Sequence, residues 1–309
     1  MNSTKFLFVF FVIVFLLDMN LSAQSAIVRI MQVSGNIQIG SMEHWAQASV
    51  SQKLKNSDYV KVGENSCLVM VDEKLNKVKV LDNEGTYKVS EQWSKVPSSS
   101  PGLFKRFLKL LEDQLFNKGN KEVLSAAAVK RSTNAIRIAS PESSKVIDKG
   151  IPLKWYKVDN GFNYCLTISN RWGEKIFTKS LFDTSFVVNY HDLNLKDSEY
   201  YFWKISSCKD PNVVSNEGSF YIDNQELKNK LADSIAAINK MFPEDEFSPV
   251  KEFTIASFLM ENELNFDALA HFEKLETSPF FFEEYRNCFI NFLLNVSMID
   301  KANTFIKNN

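Results

Sequence analysis

Three histidines, four cysteines and a few clustered carboxylates are the groups in this 309-residue chain that could do chemistry. His44, His191 and His271 stand alone: none lies three or four residues from another His or a Cys, the spacing by which one helix face grips a metal. Cys67, Cys165, Cys208 and Cys288 form no CxxC pair, which sets aside a zinc or redox motif. Glu244-Asp245-Glu246 and Glu283-Glu284 are carboxylate neighbours, but a hydrolytic pair faces across a cleft, and acidic residues also gather at helix starts as solvated charge. No nucleophile elbow, phosphate loop or dinucleotide fingerprint is present. The expectation is no catalytic residue, no metal and no cofactor: a binding protein rather than an enzyme.

The charge balance narrows the partners. With 36 basic and 37 acidic residues the net charge is −1, and nucleic acid, which needs a basic face, is not expected. Lys5 precedes an unbroken apolar run, Phe6 to Leu17, which Asp18 ends before Leu21-Ser22-Ala23. The run is shorter than the ~20 residues that cross a bilayer and suits a secretory signal, with residues 1–23 removed and a mature start at Gln24. A retained anchor is the alternative. The remaining length suits two or three domains.

The elements that would position a binding site follow from periodicity. Residues 27–91 alternate apolar and polar, punctuated at Ser34-Gly35-Asn36, Gly63-Glu64-Asn65 and Asp82-Asn83-Glu84-Gly85, which predicts a small all-β unit. Residues 103–117 place Phe104, Phe107, Leu108, Leu111 and Leu115 on one stripe of a helix, with Lys105, Arg106, Lys109, Glu112 and Asp113 opposite. Such a helix either covers a neighbouring β-domain or lies on a membrane surface. Residues 118–135 lack periodicity and read as a linker. Residues 136–223 carry about seven short strands, and residues 225–309 turn helical, with Leu227, Leu231, Ile235 and Ile238 on one stripe. The fold class expected is multidomain: two all-β modules followed by an all-α region.

Each segment resembles a known family. Val33-Ser34-Gly35-Asn36-Ile37-Gln38-Ile39, then Trp45 and Ala48, then Leu54-Lys55-Asn56-Ser57-Asp58-Tyr59-Val60-Lys61-Val62-Gly63 and a closing Gly85-Thr86-Tyr87 resemble a FecR-type domain. The chain departs from it at Asp72-Glu73-Lys74-Leu75-Asn76, where the family has a Gly-containing hairpin. The resemblance implies a β-scaffold in a Gram-negative bacterial envelope. Sigma-factor signalling, which in that family uses a cytoplasmic tail, is the less favoured alternative because only five residues precede the apolar run. Ser140-Pro141-Glu142, Gly150-Ile151-Pro152-Leu153-Lys154-Trp155, Tyr164-Cys165-Leu166-Thr167-Ile168 and Tyr201-Phe202-Trp203-Lys204-Ile205 resemble a fibronectin type III-like, immunoglobulin-like sandwich. Cys165 and Cys208 share the outward phase of two strands that are neighbours in that fold, so a disulfide between them is one outcome and two thiols the other.

The last segment resembles tetratricopeptide repeats. Ala256-Ser257-Phe258-Leu259 and Asp267-Ala268-Leu269-Ala270-His271-Phe272 carry the motif. The repeat's period of roughly 34 residues takes Ala268 to Ala302, Phe272 to Ile306, Leu259 to Leu293 and Leu264 to Met298, while Ile290 departs from the small position equivalent to Ala256. In that family the first helix of each pair lines a concave groove, and the equivalent positions here are Val250, Phe253, Ser257, Met260, Glu284, Asn287, Asn291 and Leu294. The resemblance implies apolar contact from Phe253 and Met260 and backbone hydrogen bonds from Asn287 and Asn291 to an extended peptide. The alternative is that these residues pack on the sandwich or on the 225–242 helix. Trp172, in the turn Asn170-Arg171-Trp172-Gly173, either stacks exposed on a sugar or partner or folds back over its own module.

Together these features lead us to expect an exported, non-catalytic scaffold of the periplasm or envelope whose partner is another protein or peptide. A glycan- or peptidoglycan-associated accessory protein or enzyme is the alternative. Membrane contact is expected only through the signal segment or the 103–117 helix.

Overall fold

The computed structural model describes residues 28–116, 136–147, 150–158, 162–210, 212–242 and 248–306, without the side chains of 114–116. The signal segment, the linker 118–135 and Glu244-Asp245-Glu246 lie outside the described residues. The chain divides after Lys95 into two compact units. Among the described residues no helix is long and apolar enough to cross a membrane.

Among its described residues the first unit holds eight strands: β1 (Val28–Ser34), β2 (Ile37–Gly40), β3 (Trp45–Gln47), β4 (Lys53–Leu54), β5 (Tyr59–Val62), β6 (Cys67–Asp72), β7 (Lys77–Leu81) and β8 (Gly85–Lys88). They form two antiparallel sheets, ordered β4-β1-β6-β7 and β3-β2-β5-β8. Alternation drives Ile30, Ile37, Ile39, Val60, Val62, Leu68 and Met70 into one core. Gly35 turns β1 into β2 at φ +80°, against Ser66, whose Oγ accepts a hydrogen bond from the Asn36 amide at 2.8 Å. The β6–β7 hairpin manages without glycine. Asp72 Oδ1 accepts from the amides of Lys74 and Leu75 at 3.0 Å each, and Asn76 takes the left-handed position at φ +53°.

Among its described residues the second unit holds α1 (Pro101–Phe116) and then seven strands: β9 (Ser143–Val146), β10 (Gly150–Lys154), β11 (Tyr164–Asn170), β12 (Lys175–Leu181), β13 (Ser185–Asn189), β14 (Glu199–Ser207) and β15 (Gly218–Ile222). A five-stranded sheet, β12-β11-β14-β15-β9, and a β10-β13 pair share one core. Leu166, Ile168, Trp203, Ile205 and Phe220 enter it from the larger sheet, and Ile151, Leu153 and Val188 from the smaller. The Tyr201 hydroxyl accepts from the Lys196 amide at 2.8 Å and fastens the chain where it enters β14. Cys165 and Cys208, on the outward phase, form a disulfide. Burial pushes the thiols of Cys67 and Cys288 up to about 12, so neither is poised to react.

Five helices follow among the described residues: α2 (Gln225–Asn239), α3 (Pro249–Glu261), α4 (Asn265–Glu276), α5 (Glu283–Asn295) and α6 (Ile299–Ile306). The pair α3–α4 repeats in α5–α6 at an offset of thirty-four residues. Both turns carry a non-glycine residue of positive φ, Glu263 (61°) and Ser297 (64°). Both close with the same backbone bond, Leu264 N to Leu259 O at 2.9 Å and Met298 N to Leu293 O at 2.8 Å. Ala268 and Ala302 are fully buried where helices approach closely. Ile290, the bulky departure, is buried as well.

The helices join the sandwich through directional bonds. The Lys145 amide on β9 donates to Glu263 O at 2.8 Å, the Phe266 amide donates to Ser144 Oγ at 3.1 Å, and Asn265 Nδ2 donates to Ser143 O at 2.8 Å. The Phe266 ring enters the sandwich core. Lys228 of α2 reaches Asp197 Oδ1 at 2.8 Å and the Tyr190 hydroxyl at 3.3 Å. The turn between α3 and α4 therefore covers the outer edge of β9, which would otherwise offer unpaired backbone groups.

Candidate helix-binding groove

The sequence-predicted groove residues sit on α3 and α5. Ser248 caps α3, its Oγ accepting from the Lys251 amide at 3.4 Å, and Pro249 occupies the first turn. Val250, Phe253 and Ser257 are fully buried, while Met260, Glu284, Asn287, Asn291 and Leu294 are half-buried.

Two expectations need correction. Phe253 offers no surface to a peptide. Its ring stacks on Tyr285 at 4.5 Å and meets Phe272 edge-on at 6.4 Å, inside the core that joins the two helix pairs. The 103–117 helix, expected on a β-domain or a membrane, is α1, and it packs against α3, α5 and α2. Its stripe demands an apolar surface without specifying which, and the nearest in space comes from helices more than a hundred residues later in the chain.

α1 buries Phe104, Phe107, Leu110 and Leu111 and exposes Lys105, Arg106 and Lys109. Phe107 meets Phe242 edge-on at 6.0 Å. The fit is incomplete: a cleft of about 360 Å³ remains among α1, α2 and α3, lined by Leu103, Phe107, Leu110, Ile238, Thr254 and Phe258. Beyond it, Ser257 Oγ on α3 and both amide atoms of Asn291 on α5 are buried without a hydrogen-bond partner. Among the described residues, Trp93 Nε1, Trp155 Nε1, Trp203 Nε1, Asn163 Oδ1 and Asp223 Oδ2 are likewise buried without a partner, so the helical region is not distinguished by this feature.

A Glu–His pair escapes sequence inspection because its members lie on different helices. His271 Nδ1 is 2.6 Å from Glu252 Oε2, and Lys274 Nζ approaches the same oxygen at 3.6 Å. Burial raises the Glu252 carboxyl, but His271, Lys274 and Lys251 outweigh it and hold the group below the ordinary glutamate range. The pair ties α3 to α4. Among the described residues, no group of three or more His, Cys, Asp or Glu is arranged to hold a metal.

On the sandwich, Trp172 is 73% exposed, with the Arg171 guanidinium 4.7 Å above its ring, so it does not fold back. Tyr200, half exposed, and Tyr221 pair on the outer face of the larger sheet at 4.7 Å. Phe182 is 76% exposed beyond β12. The tyrosine pair could have been found from strand parity, since Tyr200 alternates with the inward Tyr201 and Trp203.

No family model matches this chain, and no curated protein does. Among solved structures, the chain is similar to the BSP domain of a biofilm-associated protein at 11% identity and a TM-score of 0.20, covering 66% of this chain and 26% of that one. It is similar to a β-1,2-glucanase from Parabacteroides distasonis at 12% identity and a TM-score of 0.22, covering 92% and 49%. The chain thus spans about a quarter and about half of those two structures.

Proposed function

We propose that this chain is an exported, non-catalytic binding protein of a bacterial envelope, in which a FecR-like β-unit and a fibronectin type III-like sandwich carry a tetratricopeptide-like groove that binds helices. One observation carries the reading: α1, an amphipathic helix, packs by its apolar stripe against α3, α5 and α2, so the helical region already accommodates a helix of this kind. Helix-in-groove recognition uses an apolar stripe of this spacing. The repeat reading is supported by the matched turns of the two helix pairs, with equal φ signs and equal backbone bonds. The sandwich reading is supported by the Tyr201–Lys196 bond, the form a tyrosine corner takes. The FecR-like reading is supported by Asn76, which stands at positive φ, a conformation open to glycine, in the hairpin where that family has a Gly-containing turn.

A photoreactive residue at Leu294 in the full exported chain tests the proposal. A discrete protein adduct is expected, dependent on groove residues. A second reading, glycan association through the sandwich, is favoured by exposed Trp172 and the Tyr200–Tyr221 pair. Co-sedimentation with purified peptidoglycan, lost on Trp172→Ala and Tyr200→Ala, together with no adduct at Leu294, would replace the first reading by the second.

A further inference from the structure

We propose that β13 is an association edge whose occupant is the β13 of a second copy of this chain, the two strands pairing antiparallel about Val187. The proposal does not draw on the helical groove.

The pairing of β13 shows which way its backbone groups point. Among the described residues it pairs with β10 alone, from Gly150 opposite Asn189 to Lys154 opposite Ser185. The Trp155 amide donates to Thr184 O at 2.9 Å. Antiparallel bonds recur at every second residue, so Phe186 and Val188 also bond toward β10. Ser185, Val187 and Asn189 therefore direct their amides and carbonyls away from it. Two residues of β10 agree with this phase. Lys154, opposite Ser185, commits its amide to Ser140 Oγ and its carbonyl to the Ala139 amide. Pro152, opposite Val187, has no N–H to give. Of the outward set on β13, only the Asn189 carbonyl has a partner among the described residues, the Asp192 amide at 3.1 Å.

Other edges of this chain are guarded. The α3–α4 turn covers β9, β12 carries Lys175 and Lys179, and β3 and β4 have only three and two residues. β13 reads Ser-Phe-Val-Val-Asn, with no charge, no proline and no register shift against β10. Inside the module its side chains are satisfied. Phe186 stacks on Phe177 at 5.8 Å with Lys179 Nζ 4.5 Å over its ring, and Val188 is fully buried. What stays open is the outward backbone and Val187, 61% exposed.

Self-complementarity selects the second copy. A two-fold contact requires a strand that matches its own reverse. About Val187, antiparallel pairing sets Val187 opposite Val187 and Ser185 opposite Asn189 on either side. Apolar meets apolar at the centre, polar meets polar at the ends, and no like charges are opposed. The outward backbone groups of both copies belong to these same three residues, so each donor faces an acceptor. β12 fails the same test, because self-pairing would bring the lysines of both copies into one ladder. An acidic strand would find its charge complement at β12 and not at β13. Five residues a side make a small contact beside the ~800 Å² per partner of a standard interface, so association is reversible and concentration-dependent.

The test uses the full chain and side chains that point to solvent, so folding, followed by circular dichroism and thermal midpoint, should not change. Val187→Cys treated with a short bismaleimide should give a cross-linked dimer whose yield rises with protein concentration. Cys67 and Cys288 are buried and Cys165 is bridged to Cys208, which keeps the background low. Ser185→Cys should not cross-link to itself, since the two-fold separates these residues by about 14 Å. A mixture of Ser185→Cys and Asn189→Cys chains should cross-link. By sedimentation, Val187→Lys or Val187→Glu alone should weaken association at least about fivefold, and an equimolar mixture of the two should restore it. A chain that stays monomeric at every concentration would overturn the proposal. Unchanged association of Val187→Lys, or no rescue in the mixture, would overturn the register about Val187. Val187→Cys coupled to other envelope proteins and not to itself would replace the second copy by an extended strand of another protein.

Discussion

The second unit contains two seams made on different terms. Where the helices meet the sandwich, backbone and side-chain bonds cross the joint at Lys145–Glu263, Phe266–Ser144 and Asn265–Ser143, and Phe266 inserts into the opposing core. Where α1 meets α3, α5 and α2, its described buried side chains are apolar: Phe104, Phe107, Leu110 and Leu111. Directional bonds specify one register and are costly to break singly. An apolar stripe accepts any helix of similar shape. The contrast separates a joint that holds two modules as one body from a joint suited to exchange.

The largest effect should come from the first seam. Phe266→Ala should cost about 3–5 kcal/mol in denaturant unfolding, with sandwich and helical signals moving together. Separate transitions, with the sandwich unmoved, would break the comparison. Reducing Cys165–Cys208, which closes a loop with a sequence separation of 43, should cost about 2–4 kcal/mol by thermal unfolding while leaving the protection of α1 unchanged. Phe107→Ala removes a ring as buried as Phe266, yet should cost only about 1–2 kcal/mol globally, because a helix that opens locally limits what its own contacts contribute. A loss equal to that of Phe266→Ala would make the two seams equivalent. The smallest effect is a pH dependence. The Glu252 carboxyl is held below its ordinary range, so its contribution is present above the unfolded glutamate value and is lost as pH falls through the lower folded one. Acid titration of helical unfolding should show this loss, and His271→Gln should flatten it.

Much of this architecture is legible in local pattern. Inward parity placed Tyr164, Leu166, Ile168, Tyr201, Trp203 and Ile205 in the sandwich core, and the outward phase of Cys165 and Cys208 put both on the face where they are bridged. A thirty-four-residue comparison anticipated the burial of Ala302, Leu293 and Met298, whereas Ile306, matched to the fully buried Phe272, is only half-buried. What stayed hidden is long-range. The stripe of α1 is plain, but hydrophobic attraction carries no address, so nothing in 103–117 names α3 and α5 as its cover. Phe253 failed for a related reason: helical spacing puts it on a face, and only the arrival of Tyr285 and Phe272 decides that the face is core. The Glu252–His271 pair joins two helices and has no spacing within either.

Amide hydrogen exchange on the full chain tests the central claim most directly, because it compares the seams in one experiment. If α1 is a separable occupant, its amides between Phe104 and Leu111 exchange through a local opening that is independent of denaturant at low concentration. The amides of β15 and α4 then exchange together, only through global unfolding. Equal protection of α1 and α4, with the same denaturant dependence, would show a single cooperative body and contradict the account.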